Sequence, residues 1–151
     1  MSRAAERSSA RLAAAQALYQ MEVSGAGLSD VLAEFESHWI GQEVEGVQYK
    51  PAEVAFFRDI VGGVLKDQQG IDRALDAALA EGWPLKRVEA LMRAILRAGF
   101  YELSSRPDVP ARAAIKEYVD VAGAFYGPEE SGMINAVLDL LARKTRPKEF
   151  A

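Results

Sequence analysis

Arg3, Arg7 and Arg11 recur every fourth residue, so on a helix their guanidinium groups form one ridge. Such a row can grip phosphates in bidentate fashion and stack on unpaired bases. The competing reading is a solvated helix face on which Glu6 pairs with a neighbouring arginine. A second cationic cluster, Arg143, Lys144, Arg146 and Lys148, reads as a complement to a helix dipole followed by a frayed tail. Phe125 and Tyr126, just before Gly127-Pro128, could offer a stacking platform; we expect Phe125 inside and Tyr126 at least partly exposed. Catalytic groups are scarce. His38 is the only histidine and there is no cysteine, so neither a zinc site nor a thiolate nucleophile can be assembled from them. His38, beside Trp39, reads as a half-buried residue at a helix end. No glycine-rich phosphate cradle is present, since Gly62-Gly63 and Gly25-Ala26-Gly27 lack the preceding strand. Carboxylate pairs such as Glu129–Glu130 and Asp67–Asp72 read as solvated or dipole-complementing groups at helix ends. We expect no enzyme, no catalytic residue, no metal and no cofactor.

Charge placement narrows the class further. The net charge is −4, but it is unevenly spread. Residues 1–11 and 143–151 together carry +5, which leaves −9 for residues 12–142. An acidic body with two basic ends suits local electrostatic docking better than general nucleic-acid binding. The apolar runs are too short to span a membrane, which takes about 20 residues. Met1 to Gln20 has the Arg, Ser and Ala content of a transit peptide, yet its periodicity favours a helix of the mature protein. The expected location is the cytoplasm.

Helical spacing must position these residues, and no convincing period-2 strand is visible. A first helix over about 4–23 stacks Leu12, Ala15, Tyr19 and Val23, and Ser24-Gly25-Ala26-Gly27 breaks it. A second runs from Leu28 to Gly41 at most, and the stretch to Tyr49 reads as loop. Pro51 opens a third with Val54, Phe57, Val61 and Val64 on one stripe. Gly62-Gly63 within it suggests the close approach of another helix. A fourth follows Gly70 with Ile71, Leu75 and Leu79. Pro84 opens a fifth with Leu85, Val88, Met92, Ile95, Gly99 and Leu103, closed before Pro107. Pro110 opens a sixth and Gly127-Pro128 precedes a seventh. The expected fold is all-α: about seven helices in two packed subdomains, roughly 1–82 and 83–146, forming a single domain over 1–151.

Three segments together resemble the NusB family: Ala10-Arg11-Leu12-Ala13-Ala14-Ala15-Gln16-Ala17-Leu18-Tyr19; Ile95-Leu96-Arg97-Ala98-Gly99-Phe100-Tyr101-Glu102-Leu103 followed by Asp108-Val109-Pro110; and Met133-Ile134-Asn135-Ala136-Val137-Leu138-Asp139. Phe57-Arg58-Asp59 with Gly63-Val64 adds a weaker match. The resemblance implies two helical subdomains and a role in processive antitermination, chiefly in ribosomal RNA transcription. It implies three partners: single-stranded boxA-type RNA, a NusE-like small-subunit ribosomal protein and the RNA polymerase antitermination complex. On the RNA side it implies Arg7, Arg11 and Gln16, Arg3 by extension, and Tyr126, Glu129 and Met133. On the partner side it implies Tyr19 and an outward face of the fifth helix around Val88 and Met92. Ser8-Ser9 thin the family's arginine run, Met92 replaces a common acid, Gly132-Met133 a common Lys-Phe, and Ala136 a glycine. Weak RNA binding by the lone protein is therefore expected. The alternative is a protein-interaction module or homodimer that covers the first-helix surface.

Overall fold

The computed structural model describes residues 3–38, 43–44, 47–48, 51–79 and 84–151, with side chains described for 5–36, 54–79 and 84–151. Alanine shapes the first element. Helix α1 (Arg3–Ser24) carries Ala10, Ala13, Ala14, Ala15 and Ala17, all buried. Alanine has the strongest helix preference, and its small side chain lets other helices pack closely on several sides. Its buried side is therefore broader than the expected stripe and displaced from it. Tyr19 and Val23 lie exposed, whereas Ala10, Ala14 and Leu18 face the core. Gly25 ends the helix with φ +75°, and its N–H donates to the Met21 carbonyl at 2.9 Å.

Helix α2 (Leu28–His38) packs on α1, and α3 (Pro51–Lys66) opens on its proline as expected. Between them the expected loop contains a short antiparallel pair, β1 (Glu43–Val44) with β2 (Val47–Gln48), in which Val44 faces Val47. Two β-branched residues favour that local pairing. Helix α4 (Gln68–Ala78) begins ahead of Gly70, almost continuous with α3, because the Asp67 N–H still donates to the Gly63 carbonyl.

The expected fifth helix is broken. Leu85–Arg87 form a 3-10 turn, Val88 and Glu89 are extended, and α5 runs only from Ala90 to Ser105. The Asp76 carboxylate accepts the Leu85 N–H at 2.6 Å, and the Arg93 guanidinium donates to the Val88 carbonyl, so side chains hold the break. The apolar period survives the break because Leu85 and Val88 still turn inward.

Helix α5 is the core of the fold, packed on α1, α3, α4, α6 (Ala111–Gly123) and α7 (Pro128–Thr145). It buries Met92, Ile95, Leu96, Phe100 and Leu103; each such side chain contributes roughly 1.5–3 kcal/mol. Two glycines permit close approach. A Cβ on Gly99 would lie 2.8 Å from Leu138 Cδ1, and one on Gly63 would lie 2.1 Å from Tyr101 Cε1. The suspected contact at Gly62-Gly63 is thus with one side chain of α5, and it concerns Gly63 alone.

The tail is not frayed. Arg146 leaves the cationic cluster and turns inward, donating to the carbonyls of Glu102 (3.1 Å), Leu103 (2.9 Å), Arg106 (2.7 Å) and Val109. Its five guanidinium donors suit that cluster of carbonyls at the end of α5. Pro147–Phe150 then form a 3-10 turn whose Glu149 Oε1 accepts the Ala111 N–H at 2.9 Å.

Candidate nucleic-acid interface

Position along α1 decides what its arginines can do. Arg3 is the first residue of the helix, and its side chain lies outside the described set. Arg7 sits with Cζ 4.6 Å from the centre of the Phe56 ring and donates to Asp108 Oδ2 at 3.4 Å. Its side chain keeps 19% exposure, so an incoming phosphate can still reach it.

Arg11, expected to face RNA, is instead turned into the protein. Its side chain is 5% exposed. Nε and Nη2 donate to the two oxygens of Glu102 at 2.7 and 2.9 Å, and the Tyr118 hydroxyl donates to the same carboxylate at 2.8 Å. Burial by itself would depress the guanidinium pKa; the hydrogen bonds and charge of Glu102 outweigh it, and the net shift is upward. Nη1 lies 3.7 Å from Glu117, so the guanidinium is held within the protein chiefly by the buried Glu102.

Phe56 and Arg106, absent from the sequence-derived site, organise this end of the molecule. The Phe56 ring faces Arg7, Arg11 and also Arg106, whose Cζ lies 4.9 Å away. Arg106 binds Asp108 through Nε and Nη2, both at 3.0 Å, and reaches Asp59 at 2.9 Å. Asp59 in turn accepts the Tyr101 hydroxyl at 2.6 Å. Arg7, Arg11 and Arg106 thus meet four carboxylates, Glu102, Glu117, Asp59 and Asp108, so the positive charge around Phe56 is answered locally. The hydrogen bonds from Arg106 hold the Asp108 carboxyl down to about 2. Asp108 in the Asp-Val-Pro turn, Asp59 and Tyr101 lie in the family-like segments, but Phe56 and Arg106 themselves carry no sequence signal.

The remaining site residues gather elsewhere. Gln16 and Tyr19 line a groove of about 410 Å³ with Gln20, Val23, Ser24 and Phe35. Tyr126, Glu129 and Met133 line a second cleft of about 390 Å³, together with Val88 and Met92. Residues expected to serve RNA and residues expected to serve a protein partner therefore share one cleft. Val88 and Met92 are not outward-facing: they are 3% and 7% exposed and form its floor. Glu89, Glu129 and Glu130 against Arg87 make the cleft acidic. That field suits a basic partner better than a phosphate.

One half of the aromatic expectation fails: Tyr126 is partly exposed as expected, but Phe125 is not inside. Phe125 is exposed and Tyr126 half-buried, because the chain turns after α6 with the Tyr126 N–H bonded to the Ala122 carbonyl at 2.9 Å. The Tyr126 hydroxyl is buried and, among the described residues, makes no hydrogen bond of good geometry, with Glu89 the acceptor acting on it. Burial first, then Glu89, raises its pKa.

Among the described residues, no group of three His, Cys, Asp or Glu is placed to hold a metal. Asp72 is bound by Arg97 at 2.8 and 3.0 Å rather than facing Asp67 as an acid–base couple. His38 is the last residue of α2, with its side chain outside the described set. No described helix is long and apolar enough to cross a membrane.

The sequence pattern of the NusB family matches residues 8–143. A transcription antitermination protein NusB of Nitrobacter hamburgensis is 63% identical over 149 residues, covering 99% of this chain and 93% of its own. One of Rhodopseudomonas palustris is 62% identical over 149 residues, with 99% and 88% covered. Among solved structures, NusB of T. maritima superposes with a TM-score of 0.80 at 26% identity, covering 95% of this chain and 96% of its own. A chain from a crystal structure of antitermination factors NusB and NusE with dsRNA reaches 0.75 at 19% identity, with 93% and 98% covered, a likeness of fold.

Proposed function

Because the chain belongs to the NusB family, we propose that it is a transcription antitermination factor acting as an adaptor, binding boxA-type single-stranded RNA jointly with a NusE-like ribosomal protein. It performs no bond chemistry of its own. Both helical halves, divided near residue 82, act as one RNA-binding unit within the cytoplasmic RNA polymerase antitermination complex. The observation that carries this reading is the division of charge between two surfaces. Arg7 offers a phosphate contact at the α1 end, while the cleft of Glu89, Glu129 and Glu130 offers an acidic seat for a basic protein.

The same charges argue that the partner matters. Asp108 competes with phosphate for Arg7, and Arg11 is committed to Glu102, so the first helix brings few free cations to RNA. A bound partner adds its own contacts and raises the effective concentration of the RNA at this surface.

Fluorescence anisotropy with a boxA-type RNA, with and without the NusE-like protein, tests this directly. The pair should bind at least tenfold tighter than the chain alone. Arg7→Ala should weaken binding several-fold, and Asp108→Asn, which removes the competing charge, should strengthen it. Binding that ignores both the partner and Arg7 would overturn the adaptor reading. Sedimentation showing a tight homodimer that excludes RNA would replace it with the interaction-module alternative.

A further inference from the structure

The two basic ends of the chain meet in space. Arg7 of α1 reaches Asp108, on one side of the turn between α5 and α6. On the other side Arg146 and Glu149 clasp the same turn through the Val109 carbonyl and the Ala111 N–H. One residue further on, Arg112 lies with Cζ 4.8 Å from the centre of the Phe150 ring, and Arg143 of α7 lies 4.7 Å from it. Two guanidinium groups thus share one half-buried phenyl ring, a few residues from the Arg7 contact.

This cluster differs from the one around Phe56 in its counter-charges. There, Glu102, Asp59 and Asp108 answer every arginine. Here Glu149 is already spent, one oxygen on the Ala111 N–H and the other on Arg146 at 3.0 Å. Asp139 binds Arg143 at 2.9 Å in an exposed i,i+4 pair, a weak tie of about 0.3–0.5 kcal/mol. Arg112, Lys144 and Lys148 are exposed and have no carboxylate partner among the described residues. A guanidinium lying flat on a ring uses its face and keeps its edge N–H groups for an anion.

We propose that Arg112, Lys144 and Lys148, with Arg143 beside Phe150, form a second phosphate-binding surface that carries the RNA beyond Arg7. The proposal rests on the RNA reading above and extends it. RNA is the occupant because the surface continues from the Arg7 end, and a track of cations with an aromatic ring follows a single-stranded backbone without reading its sequence. The cluster that resembled a dipole complement thus supplies the uncommitted charge that the first helix lacks.

The test compares two RNAs on the full chain with its NusE-like partner: a boxA-type oligonucleotide of about 12 nucleotides and the same RNA extended to about 30, a length beyond one compact site. The wild type should bind the longer RNA about tenfold tighter. Arg112→Gln/Lys144→Gln/Lys148→Gln should lose that gain, with the salt slope on the longer RNA reduced by about 2, since each phosphate contact on a single strand is worth about 0.7. Binding of the short RNA should be unchanged. Lys148→Glu alone, on an exposed turn that leaves the helices intact, should also weaken only the longer RNA. A wild type that gains nothing from length, or variants that lose equally on both RNAs, would overturn the second surface and leave the Arg7 site standing. A wild type that binds neither RNA overturns the RNA reading and this proposal together.

Discussion

Arg7 and Arg11 are one helical turn apart and indistinguishable by spacing, yet they belong to different parts of the molecule. What separates them is Glu102, far along the chain and fully buried, which accepts both Arg11 donors and the Tyr118 hydroxyl. Periodicity tells which residues share a face; it does not tell which face meets a buried carboxylate. This is why the arginine ridge was legible in the sequence while its chemistry was not. Removing one member of a buried ion pair leaves the other charged and unsolvated, a cost of about 3–5 kcal/mol. Arg11→Ala should therefore lower stability by about that amount in urea unfolding, while Arg7→Ala, at a partly exposed contact, should cost less than about 1 kcal/mol. Loss of RNA binding in Arg11→Ala with an unchanged unfolding midpoint would contradict the structural assignment and return Arg11 to the RNA.

Punctuation by proline and glycine made most elements readable. Pro51, Pro107, Pro110 and Gly127-Pro128 mark boundaries that the structure keeps at α3, α5, α6 and α7. The break at Val88–Glu89 was hidden because an extended pair between a 3-10 turn and a helix preserves the inward period, and because its anchors, Asp76 and Arg93, lie outside it. Gly63 shows the same limit on a smaller scale: the doublet announced a close approach without saying which glycine made it. An added methyl at Gly63 must displace the Tyr101 ring and break its 2.6 Å hydrogen bond to Asp59. Gly63→Ala should destabilise by about 1–3 kcal/mol despite the better helix propensity of alanine. Gly62→Ala, with open space around it, should instead stabilise by up to about 1 kcal/mol. In a Tyr101→Ala background most of the Gly63→Ala penalty should vanish. Its persistence there would mean that the backbone, not Tyr101, sets the limit.

For the whole molecule, the turn between α5 and α6 is where α1, α5 and the C-terminal segment are tied by charge, and those ties set how stability responds to pH. Asp108 titrates at about 2, held down by Arg106, and Glu149 is lowered by the Ala111 N–H and then Arg146. A carboxyl with a depressed folded pKa contributes stability above its unfolded value, about 3.9 for Asp, and loses it as pH falls toward about 2. Tyr101 moves the other way. Burial and the bond to Asp59 raise it to about 12, so its contribution is complete below about 10 and disappears as pH climbs toward about 12. Thermal melts should thus hold level through neutral pH and fall on both limbs, the acid limb more steeply at low salt because Asp108 is half exposed. Asp108→Asn should flatten the acid limb and leave the alkaline one, and Tyr101→Phe should do the reverse. If both variants followed the wild-type curve throughout, the network joining the two ends of the chain would not be what holds this turn in place. The Arg112–Phe150 surface would then lose the scaffold that sets it beside Arg7.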